Sequence, residues 1–97
     1  MAQFDIHRLS DGMHVVVLQS DLIDLRESCL VAPMFRKGAR AELGRLTPLI
    51  IHDDKSWLVR VPQLTAMRPA MLGPPRGSAA AFRDELFRAI DLLTHGF

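Results

Sequence analysis

The first two thirds of the sequence alternate apolar and polar positions in short segments that turn residues separate. Phe4-Asp5-Ile6-His7 alternates residue by residue, as a strand with one buried face does. A valine-rich segment, 13–18, follows after Ser10-Asp11-Gly12, and an Asp-Gly pair suits the positive φ of a tight turn. The pattern therefore predicts an antiparallel hairpin at the start of the chain.

Further strand candidates follow this hairpin. Residues 29–34 are mostly apolar, and we expect Pro33 to lie at an edge or an end of a sheet because it has no backbone donor. Residues 46–51 and 56–61 flank the polar segment 52–55 and predict a second hairpin, with alternate side chains of its second strand facing the core.

In the last third of the chain, the spacing of the apolar residues changes from that of strands to that of a helix. Residues 64–72 are a weaker strand candidate because of Pro69, and Gly73-Pro-Pro-Arg-Gly77 predicts a sharp end to the β region. Ser78 is an N-cap candidate. The apolar residues that recur beyond it at helical spacing are Phe82, Leu86, Ala89, Ile90 and Leu93. They predict a helix over residues 79–94, which Gly96 can end in the left-handed conformation.

Together these elements predict a mainly β (α+β) fold, an antiparallel barrel or bent sheet of five or more strands with one C-terminal α-helix. Residues 1–97 are enough for one domain. A chain this short buries only about 60–65% of its unfolded surface. Because 48% of the residues are apolar, we expect a homodimer that covers the remaining apolar surface.

Charge and composition exclude several classes of protein. A net charge of +1 argues against a dedicated nucleic-acid or membrane binder. The N-terminus has no basic region followed by an apolar stretch, and the apolar runs are far shorter than the roughly 20 residues that span a bilayer. The lone Cys29 is expected to be a buried side chain in a reducing compartment. We therefore expect a cytoplasmic protein.

Candidate catalytic chemistry is sparse. The four histidines are scattered without metal-ligand spacing, so no metal or other cofactor is expected. Residues 35–45 form a Gly- and Arg-rich segment that predicts an exposed loop, which either steers an acidic partner or is simply solvated. One enzymatic alternative stays open: a metal-independent endoribonuclease in which Arg36, His52 and Arg60 stabilise charge and carry a proton.

Four groups of residues carry a family resemblance. The most specific is Leu18-Gln-Ser-Asp-Leu-Ile-Asp24. Val31-Ala-Pro-Met34 follows it in the same group, and the other three groups are Gln3-Phe4, Leu46-Thr-Pro-Leu-Ile-Ile51 with Ser56-Trp57, and Ala89-Ile-Asp-Leu92 with Gly96. In this order and at this spacing they resemble the CcdB toxins of toxin–antitoxin systems. The resemblance implies an SH3-like barrel with a C-terminal helix, a homodimer, and action by binding and not by catalysis.

The resemblance also implies partners. The protein would bind the A subunit of DNA gyrase and trap the cleaved DNA complex, and a cognate CcdA-like antitoxin would neutralise it. The implied gyrase contacts are Phe4, Leu22, Ile23, Asp91, His95, Gly96 and Phe97. The antitoxin contacts are not identified, and the candidates by charge are Arg36, Lys37, Arg40 and Arg45.

The last three residues depart from the family pattern. Where CcdB toxins end in Trp-Gly-Ile, this chain has His95-Gly96-Phe97. The family's two indoles are thought to enclose a gyrase arginine, and tryptophan serves such a cation–π contact best. A homologue that binds its antitoxin but no longer traps gyrase therefore remains a further alternative.

Overall fold

The computed structural model describes residues 2–23, 25–38 and 42–96. Its regular elements in chain order are β1 Asp5–Arg8, β2 His14–Val17, β3 Cys29–Arg36, β4 Leu49–His52, β5 Lys55–Val59, β6 Thr65–Met67, β7 Pro75–Ser78 and the helix α1 Arg83–His95. The seven strands form one antiparallel sheet in the order β4-β5-β3-β2-β1-β7, with β6 beside β3. The sheet curls into a half-barrel with one C-terminal helix, which confirms the predicted fold class.

Both predicted hairpins are present. β1 pairs with β2 after a turn in which Gly12 has a φ of +91° and the Asp11 carboxylate accepts the Met13 N–H at 2.9 Å. β4 pairs with β5 across Asp53 and Asp54, whose φ values of 56° and 60° are those of a type I′ turn. These local turns set the register of the strands that they join.

Pro33 lies in the middle of a central strand, so its predicted place at an edge or an end was wrong. β3 pairs with β2 along one side, and along the other side with β6 and then β5. The Pro33 carbonyl accepts the Arg60 N–H at 2.9 Å on that second side. The N and O atoms of a strand residue point to the same side of the strand. The Pro33 nitrogen, which carries no hydrogen, therefore faces the point between β6 and β5 where β3 changes its partner strand. β3 also extends through Arg36, so the loop begins later than predicted, while Arg36 itself is exposed.

The region after residue 64 also differs from the sequence prediction. β6 covers three residues, and a 3-10 turn, Pro69–Met71, follows it. The Gly- and Pro-rich segment does not end the sheet, because β7 lies within it and pairs with β1 at the sheet edge, where a proline is tolerated. The α-helix begins at Arg83, after a 3-10 turn. The Ser78 hydroxyl accepts the Ala80 N–H at 3.1 Å, so its bond is to the 3-10 turn and not to the α-helix.

The main core lies between the concave face of the sheet and α1. Leu86 and Ala89 of the helix are fully buried there. The sheet residues packed against them include Ile6, Val16, Met34, Ile50 and Val59. A second cluster on the other face contains Val15, Val31, Leu72 and Cys29, and burial raises the pKa of the Cys29 thiol. In the described part of the chain, no helix is long and apolar enough to cross a membrane.

The curl brings the outer strands together at one corner. A Cβ atom built on Gly77 of β7 would lie 2.8 Å from the His52 Cε1 and 2.9 Å from its Nδ1. The imidazole of β4 therefore packs directly on the glycine backbone of β7. Any side chain at position 77 would displace this ring, so the glycine allows the close approach.

Gly77→Ala should lower the free energy of unfolding by about 1–3 kcal/mol, because the new methyl group overpacks against the His52 ring. The loss should largely disappear in the double variant Gly77→Ala/His52→Ala, since the ring is then absent. Chemical denaturation of the wild type, both single variants and the double variant gives the coupling energy. Additive losses would show that the ring contact is not the cause.

Candidate functional site

The loop over residues 19–23 presents an apolar pair to solvent. The Ser20 hydroxyl accepts the Leu22 N–H at 3.2 Å, and the Ser20 carbonyl accepts the Ile23 N–H at 3.1 Å. The Ser20 side chain therefore stabilises the turn. The turn leaves Leu22 92% exposed and Ile23 50% exposed. This exposed apolar pair is suited to contact with another protein.

The loop is tied to the N-terminal segment. The Asp21 carboxylate accepts the Gln3 N–H at 2.7 Å, and the Gln3 side chain donates to the Leu18 carbonyl at 3.1 Å. The Gln19 amide completes the frame, since it accepts the Leu30 N–H and donates to the Ile23 carbonyl, both at 3.4 Å. These bonds explain physically why this segment combines polar residues with an apolar pair. They hold the exposed pair in one geometry before any partner binds.

Phe4 connects this loop to the helix. Its φ is +70°, its N–H donates to Val17 at 2.7 Å, and its carbonyl accepts the Ala79 N–H at 2.8 Å. The ring is 5% exposed and meets the Phe87 ring edge to face at 5.2 Å. Phe4 is therefore a core residue of the described chain, and its role as a gyrase contact stays a prediction. Through Phe87 it places one face of α1 beside the N-terminal segment.

The end of α1 carries the remaining predicted contacts. Asp91, His95 and Gly96 are exposed, and Gly96 ends the helix with a φ of +82° and an N–H donated to Leu92 at 2.9 Å. This confirms the predicted left-handed end. Phe97 lies outside the described residues.

A hydrogen-bond chain orients the His95 ring. The Thr94 hydroxyl donates to the Ile90 carbonyl at 2.8 Å and lies 2.7 Å from the His95 Nδ1. Because the hydroxyl has already donated its hydrogen, Nδ1 is the donor of the shorter contact. This contact places the hydrogen of the neutral ring on Nδ1, so its Nε2 is an acceptor.

The basic candidates of the 35–45 segment do not form one patch. Lys37 and Arg45 line a groove of about 460 Å³ between the 42–49 segment and α1, with Leu49 and Leu58 among its apolar walls. Arg45 also lines a cavity of about 370 Å³ with Asp91 and Gly96 of the helix end. Arg36 lies elsewhere, and Arg40 is outside the described residues.

The trio of the endoribonuclease alternative is only partly brought together. Arg36 lies 5.7 Å from the centroid of the Trp57 ring, and the His52 ring centroid lies 6.2 Å from the same indole. The Arg60 side chain instead donates to the Gln63 amide at 2.9 Å. Among the residues that the structure describes, no group of three His, Cys, Asp or Glu side chains is placed to hold a metal ion.

Some functional features could not be found from the sequence pattern. Nothing local indicates that Phe4 adopts a positive φ or that Asp21 reaches the Gln3 backbone. The link between the exposed pair and the helix depends on contacts between distant parts of the chain, such as Phe4 with Phe87. The family pattern of the Gln-Ser-Asp segment was the signal that pointed to this loop.

Comparison with known proteins identifies the chain at family level. Residues 3–96 match the family model described as CcdB protein. This range includes the predicted contacts from Phe4 to Gly96 and all seven strands and the helix. No curated protein matches the chain.

Proposed function

This chain belongs to the CcdB family of toxins from toxin–antitoxin systems, and we propose that it binds the A subunit of DNA gyrase and traps the cleaved DNA complex. The observation that carries the proposal is the family match over residues 3–96, which includes both the exposed loop and the helix end. The protein acts in the cytoplasm as a poison of the topoisomerase and not as an enzyme. It requires no cofactor.

The geometry supports a binding mode of action. Leu22 and Ile23 supply apolar surface, and Asp91 and His95 supply polar groups on the exposed face of α1. The loop is fixed by hydrogen bonds to Gln3, and the helix is fixed by the Phe4–Phe87 contact. Both surfaces are thus ordered in advance, which lowers the entropic cost of association.

The same proposal includes a homodimer. Several large apolar side chains remain at least 40% exposed in a single copy, and they are Leu22, Ile23, Leu25, Leu43, Leu49, Ile51, Met71 and Leu93. Leu49 and Ile51 lie on β4, an outer strand of the sheet. A second copy of the chain would cover part of this surface.

The proposed antitoxin site is the groove beside α1. Its lining carries three cations, Lys37, Arg45 and Arg88, against two carboxylates, Glu42 and Glu85, and Leu49 and Leu58 supply apolar walls. An antitoxin segment with apolar anchors between acidic residues fits this chemistry. Release of gyrase by the antitoxin would follow if the segment also covers Arg45 where it borders the helix end.

The decisive test is DNA cleavage with purified protein, gyrase from the same host, supercoiled plasmid and ATP. We expect linear DNA after detergent and protease treatment when both proteins are present. A folded dimer that yields no linear DNA would contradict the gyrase proposal. RNA cleavage without gyrase would then favour the endoribonuclease, and antitoxin binding without growth arrest would favour a retargeted homologue.

Leu22→Ser should reduce the linear product at limiting toxin concentration by about tenfold. Burial of a leucine side chain in an interface contributes about 1.5–3 kcal/mol, which corresponds to at least a tenfold change in affinity. The matched control is Met71→Ser, because Met71 is 55% exposed in a separate 3-10 turn. Equal losses in the two variants would show that Leu22 has no specific role.

A further inference from the structure

The concave face of the sheet ends in a rim of charged and aromatic side chains. Side chains two positions apart on a strand share a face. Each rim residue lies two positions beyond a core residue of that face, and the pairs are Ile6 with Arg8, Val16 with His14, Met34 with Arg36, Ile50 with His52, and Val59 with Trp57. Along each of these strands, the inward-facing side chains thus change from apolar in the core to charged or aromatic at the opening. We call this opening the mouth of the half-barrel.

Ring contacts give the mouth a fixed aromatic wall. The His14 ring centroid lies 4.6 Å from that of Trp57 and 5.9 Å from that of His52. The Trp57 indole N–H donates to the His52 carbonyl at 3.0 Å, and the His52 ring packs on the Gly77 backbone. Contacts among β2, β4, β5 and β7 therefore hold these rings by packing and hydrogen bonding.

Positive charge collects in the cavity beside this wall. The cavity has a volume of about 550 Å³, and its lining residues are Arg8, His14, His52, Asp53 and Arg76. β7 has an extra residue at Arg76, because Ile6 pairs with Gly77 while His7 pairs with Pro75. Such bulges redirect a side chain, and this one brings a second guanidinium group to the cavity.

The electrostatics of the cavity favour an anion. Burial, and then the positive charges of His52 and the two arginines, lower the pKa of His14 below its usual value. Two guanidinium groups stand against one carboxylate, that of Asp53. Phosphate oxygens are well matched to guanidinium groups, which bind them through paired N–H donors.

We propose that the mouth binds a nucleoside phosphate, with the phosphate held by Arg8 and Arg76 and the base against the aromatic wall. Bases stack on aromatic side chains without needing a particular sequence. The cavity volume lies within the range of small-molecule sites, and the mouth of a barrel is a common position for them. The phosphate belongs either to a free nucleotide or to a nucleotide unit of single-stranded RNA. This activity goes beyond the proposed binding of gyrase.

Trp57 provides a direct readout, because it is the sole tryptophan of the chain. The purified wild-type protein is titrated with inorganic phosphate, AMP, ATP and a short single-stranded RNA, and Trp57 fluorescence and binding heat are followed at low salt. We expect saturable binding of AMP or ATP with a change in fluorescence, and weaker binding of inorganic phosphate. Binding of the RNA alone identifies nucleic acid as the source of the phosphate. No saturable response to any ligand up to millimolar concentration overturns the proposal.

Arg8→Gln and Arg76→Gln should each weaken nucleotide binding by about tenfold, because each removes a charged phosphate donor. The control is Arg68→Gln, which removes an exposed arginine that lines a different cavity. Equal binding in all three variants overturns the assignment of the phosphate to the mouth. Gyrase-dependent DNA cleavage by the two mouth variants is expected to match wild type, so this test fails or succeeds separately from the proposed function.

Discussion

Replacing Leu86 by alanine is expected to lower the free energy of unfolding by about 2–5 kcal/mol, the range for removal of a fully buried leucine. Leu86 is 0% exposed and belongs to the cluster that joins α1 to the concave face of the sheet. A typical domain is stable by about 5–15 kcal/mol. The substitution should therefore remove a large share of the total and weaken attachment of the helix that carries Asp91 and His95.

Urea unfolding at a fixed protein concentration measures this loss, with far-UV circular dichroism for the helix and Trp57 fluorescence for the sheet. The matched control is Leu93→Ala on the same helix, where the side chain is 40% exposed and the loss should be about 1 kcal/mol or less. Similar losses for the two variants would contradict the assignment of Leu86 to the helix–sheet core.

Deletion of residues 95–97 is expected to reduce gyrase-dependent DNA cleavage by more than about tenfold while the domain stays folded. The deletion removes the His95 ring, which Thr94 orients, and the left-handed turn at Gly96. The two described residues of the deletion, His95 and Gly96, belong to neither core cluster, so the unfolding transition should remain cooperative. The measurement is the plasmid cleavage assay, with circular dichroism of the same samples.

His95→Trp tests the same surface in the opposite direction. If the chain contacts a gyrase arginine as its family does, tryptophan should strengthen the contact, since it is the best partner for a cation. More linear DNA from this variant and less from the deletion would agree with the proposal. Full cleavage by the deletion variant would place the gyrase contact elsewhere.

Local patterns were sufficient for several elements of the fold. The Asp-Gly turn and the acidic 52–55 turn each depend on a few neighbouring residues, so sequence alone indicates them. The helical stripe is equally local, and Leu86 and Ala89 are buried as its period requires. The left-handed conformation of Gly96 follows from the lack of a side chain.

Features that depend on distant contacts could not be predicted in this way. Pro33 is tolerated in a central strand because β3 changes partner at that point, and no local signal marks the change. β7 forms in a Gly- and Pro-rich segment because β1 offers it a free edge. The positive φ of Phe4 is stabilised by bonds to Val17 and Ala79, which lie far along the chain.

In the candidate site, too, local motifs could be predicted from the sequence and contacts between distant residues could not. Leu22, Ile23 and the helix end were indicated by family-like motifs, and the structure leaves each of them exposed. The mouth was missed because Arg8, His14, His52, Trp57 and Arg76 are separated in sequence and meet only when the sheet curls. A scattered set of histidines and arginines has no pattern until the strand order is known.

The pairing of β1 with β7 has a consequence for how the molecule reaches its active form. β1 gains its second neighbour only when residues 75–78 are available, and α1 follows them in the chain. Contacts between segments so far apart slow folding, because a large loop must close before they form. During synthesis, the exposed loop and the helix end therefore become jointly available only at the last stage. A growing chain therefore cannot present the loop and the helix end together until nearly all of the domain has been made, and the proposed contact with gyrase requires the complete fold.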